Sequence, residues 1–379
     1  MRRDVILLIL LLPALCWGRT WRVEKDGSGD FTVIQDALDV AADGDTVRLG
    51  PGRYTEWQWV TTDGWTERVY AHVKSDDLTL IGAGQDETII GPASDDYDWH
   101  QESPKGIAVW GHGKITVESL QIEHVRDGVY CFWMGLDISQ VTASGCECGV
   151  IGVLDGGTIV HYSALGNRND GVVFGQGTAG VLISGSCFSD NAVGVSVNWS
   201  TDIVVSGCEF VDNYSSIVFG ASSGKIENCT IRAETTSSHI MLASSEVNVE
   251  RCDIMGHARR AISIYDGGIL RGAENVLESG TDATIGCAGS HIDFHDNHIL
   301  NAGGYSVKVD YFGASKQDTL LLDLRNNYWG TTDRDQIADW ILDGHDIEGL
   351  ETYVLFEPYL DQPTPNEELS WGELKELYR

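Results

Sequence analysis

His291, Asp293 and His295 alternate along one short stretch. On a β-strand all three side chains would leave the same face at steps of about 6.6 Å. Imidazoles flanking a carboxylate in that way suit a divalent metal or a carboxylate poised for acid–base work. The chain repeats itself, as set out below, and the repeat stacks Arg271 and Asp323 on either side of Asp293 and sets Arg325 beside His295. These five, Arg271, Asp293, His295, Asp323 and Arg325, are the catalytic candidates, and His291, Asp293 and His295 are metal candidates. A solvated face of alternating charge is the simpler account of the same residues.

A second chemistry is offered by aromatic rings. Trp57, Trp59, Trp65, Trp99, Trp110 and Trp133 crowd the first third of the chain. Sugar faces stack on exposed rings, so Trp57, Trp65, Tyr97 and Trp99 are the expected carbohydrate contacts; packing of the N-terminal end is the competing use of Trp57, Trp59 and Trp110. Asp95, Asp96 and Asp98 surround these rings in an acidic loop. Their oxygens make Ca²⁺ the one cofactor the sequence suggests, although the spacing is not that of a known calcium loop. Asp170, Asp190 and Asp212, with Asn169, Asn191 and Asn213 beside them, recur where turns are expected and read as residues bonding their own backbone.

The elements that must hold these side chains are legible as a repeat. Steps of 21 to 24 residues align Leu120, Val141, Ser163, Cys187, Cys208, Cys229, Cys252, Asn275 and Asn297, with Asn327 after an insertion. A period of that length means a solenoid. Apolar residues fall five and three positions before the aligned residue, as in Ile203 and Val205 before Cys208, which marks a strand with one buried face. A further strand carries Val129, Val150, Val172, Val195, Ile217, Ile240, Ile262, Thr284 and Val307 inward. Three short strands per turn follow, and the fold class is all-β: a right-handed parallel β-helix. Leucine-rich repeats share the period but would show a helical arc, which is absent from the pattern.

In the parallel β-helices the groove normally follows the outer face of the third strand, whose outward set here includes Tyr130, Phe132, Ile151, Val173, Ser196, Val218, Ser263, Ile285, Lys308 and Asp310. Its middle offers neither two acids within about 10 Å nor a base beside a cation. Cys187, Cys208, Cys229 and Cys252 share one slot in successive turns, where in-register side chains favour stacked thiols over disulfides.

Met1-Arg2-Arg3 followed by the apolar run Val5 to Leu15 and Cys16-Trp17-Gly18 reads as a signal peptide over residues 1–18, too short to span a bilayer. The expected address is therefore secreted, periplasmic or cell-surface. The net charge of −32 repels nucleic acid and anionic lipid, so neither is an expected partner. Nothing in the pattern implies an oligomer.

Asp26-Gly27-Ser28-Gly29-Asp30-Phe31-Thr32-Val33-Ile34-Gln35-Asp36-Ala37-Leu38, then Gly44-Asp45-Thr46-Val47 and Gly52-Arg53-Tyr54-Thr55-Glu56, resemble the entry segment of the pectin-lyase-like superfamily. Asn326-Asn327-Tyr328-Trp329-Gly330-Thr331-Thr332-Asp333 is similar to the last coil of many secreted bacterial β-helix proteins. The resemblance implies a solenoid over 19–360, with an N-terminal cap region at 19–50 containing a short helix, a C-terminal cap at 326–360 with a helix from Asp335 to Leu342, and a flexible tail over 361–379. Pectin methylesterase, which shares the entry segment, is tested by its catalytic motifs. Gln317-Asp318-Thr319 occurs in the wrong order relative to the echo Gly280-Thr281-Asp282, and no Asp-Phe-Ile-Phe-Gly exists, so that activity is not expected. The expected function is polysaccharide binding. A polysaccharide lyase or glycoside hydrolase with a loop-borne site is the alternative, and a structural or adhesive spacer stands third.

Overall fold

The computed structural model describes residues 18–62, 64–94, 103–110, 113–235, 237–301, 303–310 and 319–363, and of Thr62 and Trp65 only the backbone. Tyr97, Trp99, Asp95, Asp96 and Asp98 lie outside the described residues, as do the Trp65 side chain, residues 1–17 of the leader, Gln317-Asp318 and most of the tail.

The chain coils as a parallel β-helix with three strands per turn. Successive first strands pair in register from Thr20, Thr46, Thr79 and Thr116 through Asp137 and Thr158 to Asp293, Asp323 and Leu355. Second strands form their own sheet, as in Phe188 beside Phe210 beside Ile231. Third strands stack Ile107, Val129, Val150, Val172, Val195, Ile217, Ile240, Ile262, Ile285, Val307 and Ile341 inward. The expected architecture is therefore present. One continuous core of aliphatic layers fills the coil, and burying each such side chain contributes about 1.5–3 kcal/mol.

Three local registers differ from expectation by one residue. The fully buried Ile285, not Thr284, pairs with Ile262, which turns Gly286 outward in place of Ile285. Tyr162 and Ser186, not Ser163 and Cys187, occupy the inward slot preceding Cys208. The spacing rule itself required this, since Val181 and Ile183 are the buried pair and lie five and three before Ser186, while Leu182 is exposed. Only Cys208, Cys229 and Cys252 therefore stack. All eight described cysteines are free thiols, and burial pushes Cys146 and Cys287 up to about 12.

Two asparagine ladders pin the turns. Asn167 donates from its backbone and side chain to Asn191 Oδ1, at 3.0 and 2.9 Å, and Asn191 repeats this onto Asn213. At another corner Asn275, Asn297 and Asn327 do the same. Asn167 rather than Asn169 completes the first ladder. Between strands, close approach demands glycine: a Cβ on Gly194 would stand 2.6 Å from the Ser216 carbonyl and 2.7 Å from the Phe210 ring. Phe210 stacks on Phe188 at 4.9 Å.

The N-terminal end is closed by the short helix Ile34–Leu38, which buries Ile34, Ala37 and Leu38. Tyr54 of the entry segment donates its hydroxyl to Val23 O and Gly50 O. At the other end the helix is shorter than expected, Arg334–Asp339, with Asp333 accepting from the Asp335 and Gln336 amides as its N-cap. The Trp329 ring is wholly buried there.

Candidate functional site

Aromatic and charged side chains gather along the outer face of the third-strand sheet. At its N-terminal end the hairpin Gln58–Thr62 and Trp65–Val73 lies against this face, sheltering a small apolar cluster of Val60, Val69 and Ala108 with Trp110 and Tyr130. Rings continue along it: His72 to Trp110 at 5.1 Å, Trp110 to Tyr130 at 5.6 Å and Tyr130 to Phe132 at 4.6 Å. Outward residues further on are Ile151, Val173, Ser196 and Val218, all in register.

The far border of this face, where the third strand turns into the next first strand, carries Trp133 and Trp199. They are 66% and 64% exposed, and both have left-handed backbones, φ 65° and 48°. That conformation is costly for a bulky residue, and an exposed indole gains nothing from burial. Trp57 and Trp59 on the hairpin form a T-shaped pair at 5.8 Å, with the Arg68 guanidinium 5.0 Å from Trp57. Trp59 is 63% exposed. Of the expected carbohydrate contacts Trp57 is thus partly exposed on the hairpin, while Trp59 beside it and Trp133 and Trp199 on the border are more so. Sequence reading passed over Trp199 because it stands far from the N-terminal cluster.

The near border, where third strands begin, carries charge. Lys105, Asp127, Cys148 and Asp170 occupy one column on successive rungs. Lys105 Nζ bonds Glu67 at 2.5 Å and lies 3.0 Å from the Tyr130 ring centre. Arg126 bonds Glu67 at 2.8 Å and Asp127 at 3.1 Å. Burial brings Lys105 down to about 8 in spite of Glu67, and raises Asp127 against the pull of Arg126 and Lys105. Burial also raises Asp170, to about 6, with only the Cys148 thiol opposing it. Asp170 is therefore a half-buried strand residue and not one of the turn residues, unlike Asp190 and Asp212, whose φ values are 56° and 52°. A second ionic knot closes the C-terminal end of the face, where buried Arg260 grips Asp282 and Asp310 at 2.6 Å each and Lys308 joins Asp282. Gly286 makes room for that guanidinium.

The first-strand cluster is assembled in part. Arg271, Asp293 and Asp323 stack on successive rungs, but the Arg271 guanidinium turns to Glu246. Arg325 bonds Asp323 at 2.5 Å and holds it below the usual carboxylate range. His295 bonds Asp296 at 2.8 Å. His291, Asp293 and His295 do not converge: among the described residues no three His, Cys, Asp or Glu side chains are placed to hold a metal ion. No described helix is long and apolar enough to cross a membrane.

Residues 105–234 and 176–318 match the family described as a right-handed beta-helix region. No match is found among curated protein sequences. Similar solved structures include the catalytic domain of a GH87 α-1,3-glucanase in complex with nigerose, at 11% identity and TM-score 0.56 over 86% of this chain and 66% of that one. An alginate lyase in complex with G6 aligns at 12% identity and TM-score 0.51, over 91% and 86%. The A-module of a mannuronan C-5 epimerase of Azotobacter vinelandii aligns at 16% identity and TM-score 0.46, over 88% and 95%. At these identities the likeness is one of fold.

Proposed function

Since the chain belongs to the family of right-handed β-helix regions, we propose that it is an extracytoplasmic protein that holds an extended, uncharged polysaccharide along its third-strand face. The observation that carries this reading is the pair Trp133 and Trp199, which combine high exposure with a left-handed backbone. The corner that holds Trp199 is left-handed on the following turns too, at Ala221, Ser244 and Asp266, so what sets Trp199 apart is a large exposed ring in a place that small or polar residues fill elsewhere. The rings border a floor of Tyr130, Phe132, Ile151, Val173 and Ser196, apolar with scattered hydroxyls, which is the composition of a sugar-binding surface. Solved structures with the same fold were captured with nigerose and with G6, which supports a saccharide as the occupant. The net charge of −32 disfavours a polyanion and so favours a neutral glycan. The ion-paired first-strand cluster is better explained as a solvated face than as a site.

Affinity electrophoresis of the mature chain in α-1,3-glucan, β-1,3-glucan, xylan and alginate tests this. Retardation by at least one neutral glycan is expected, with at least a tenfold loss of affinity in the Trp133→Ala/Trp199→Ala double variant. Retardation by none, or retention unchanged in the variant, overturns the reading.

A further inference from the structure

We infer that the third-strand face is a trough closed at both ends, which takes a glycan segment of about five or six sugar units, at roughly one unit per rung. This deepens the binding reading above and rests on it. The central outward column of the sheet runs in register from Ala108 to Lys308. Its side chains point away from the core throughout, so their exposure reports what else lies on the face. Tyr130, Ile151, Val173, Ser196, Val218 and Met241 are half-buried and uncharged. Ala108 before them is 0% exposed and Ser263 after them 2%. The open stretch is thus six rungs long, five steps of about 4.8 Å, or about 24 Å.

A bar of charge closes the later end. Arg260 starts at the near border, beside Ser238. Its side chain crosses the central column at Gly286, where a Cβ would stand 2.2 Å from Nη1 and 2.4 Å from Cζ. It ends on Asp310 with two hydrogen bonds, at 2.6 and 3.0 Å. Asp310 lies at the opposite end of its strand, two rungs beyond Arg260, so one side chain spans the width of the face. Asp282 fastens the guanidinium and Lys308 fastens Asp282. With its charge paired and 4% of its side chain exposed, Arg260 ends the site and does not line it.

The hairpin closes the earlier end. Val60 and Val69 pack on Ala108, and Glu67 of the same hairpin bonds Lys105 and Arg126. Pushing aside either end would strip buried charges of their partners, which costs more than a sugar contact returns. A glycan lying along the axis presents roughly one sugar to each rung. Units beyond the sixth must therefore leave the face, and they add nothing to affinity.

Calorimetric titration of the mature chain with α-1,3-glucan, β-1,3-glucan and xylan oligosaccharides of about two to ten units tests this, beside retardation in the three polymers. Affinity is expected to rise about threefold or more per unit up to the fifth or sixth, and by less than about 1.5-fold per unit beyond it. Arg260→Ala removes the bar and should move that limit up by about one or two rungs' worth of sugar. Asp310→Ala leaves Arg260 bonded to Asp282, frees only the end of the bar, and should move the limit the same way. A gain that continues to the longest oligosaccharide, a limit reached by about the third unit, or an unmoved limit in whichever variant melts cooperatively overturns the closed trough and spares the binding reading. Retardation in a polymer none of whose oligosaccharides binds does the same. Neither retardation nor oligosaccharide binding with any glycan overturns both.

Discussion

The Lys105 ammonium lies 3.0 Å from the centre of the Tyr130 ring and 2.5 Å from Glu67, with 1% of its side chain exposed. Few places in a protein hide a charge so completely, and this one holds the aromatic floor, the hairpin and the Asp127 column together. Lys105→Ala leaves a cavity and a half-paired Glu67, and should cost roughly 3 kcal/mol in urea unfolding. Lys105→Met keeps the length without the charge, and Glu67 retains Arg126, so its cost should be clearly smaller. Equal losses in the two variants would show that the paired ammonium, and not packing, carries the cost there.

The same lysine makes stability depend on alkaline pH. Its folded value of about 8 is below the ordinary 10.5, so between these limits the unfolded chain binds the extra proton. Stability contributed at this site should rise as pH climbs from about 8 to 10.5. Lys105→Met should flatten that slope in a series of urea melts.

Acid acts in the opposite region. Burial lowers His239, wholly enclosed in the coil, to about 4. Its unfolded form takes up a proton near 6.5, so stability is lost as pH falls from 6.5 towards 4. His239→Leu should be less sensitive to acid across that window, as followed by thermal melts at pH 7, 5.5 and 4.5.

The asparagine ladder should fail from its middle. Asn191 accepts two hydrogen bonds from Asn167 and donates to Asn213 Oδ1 and Ala164 O. Asn191→Ala strands several buried groups at once, at roughly 1–3 kcal/mol each, and should cost well over 2 kcal/mol. Asn169→Ala, outside the ladder and exposed, should cost under about 0.5 kcal/mol. Comparable costs would deny the ladder its role.

Trp199→Gly tests whether strain is kept for binding. Glycine accepts φ 48° freely, so the variant should be as stable as the parent or up to about 1 kcal/mol more so. Its glycan retardation should nevertheless weaken. A large loss of stability would mean that Trp199 is a packing residue.

Much of this architecture can be read from residue order alone, because a coil repeats one rule many times. Ile203, Val205 and Cys208 state the rule, and Asn275 and Asn297 continue it. Reading slipped where a turn lost a residue: Cys187 imitates Cys208 by type, yet Ser186 fills the slot because Val181 and Ile183 set the register. The charged border was hidden for a different reason. Lys105, Asp127 and Asp170 are 22 and 43 residues apart and become neighbours only through register. Glu67 reaches them from a hairpin that no repeat announces. Arg271 and Asp293 were foreseen as stacked, but side-chain partners such as Glu246 are chosen by rotamer and not by pattern.

The ladders also give the coil a direction. In both, each amide oxygen points back to the earlier rung and each amide nitrogen forward to the later one. Their dipoles therefore add along the axis and strengthen one another. Asn191 and Asn213 stand 22 residues apart in equivalent places, so removing that whole interval would rejoin like with like, and removing half of it would set oxygen against the wrong backbone. The natural quantum of insertion or loss in this molecule is a complete turn, and its length can change without its polarity changing.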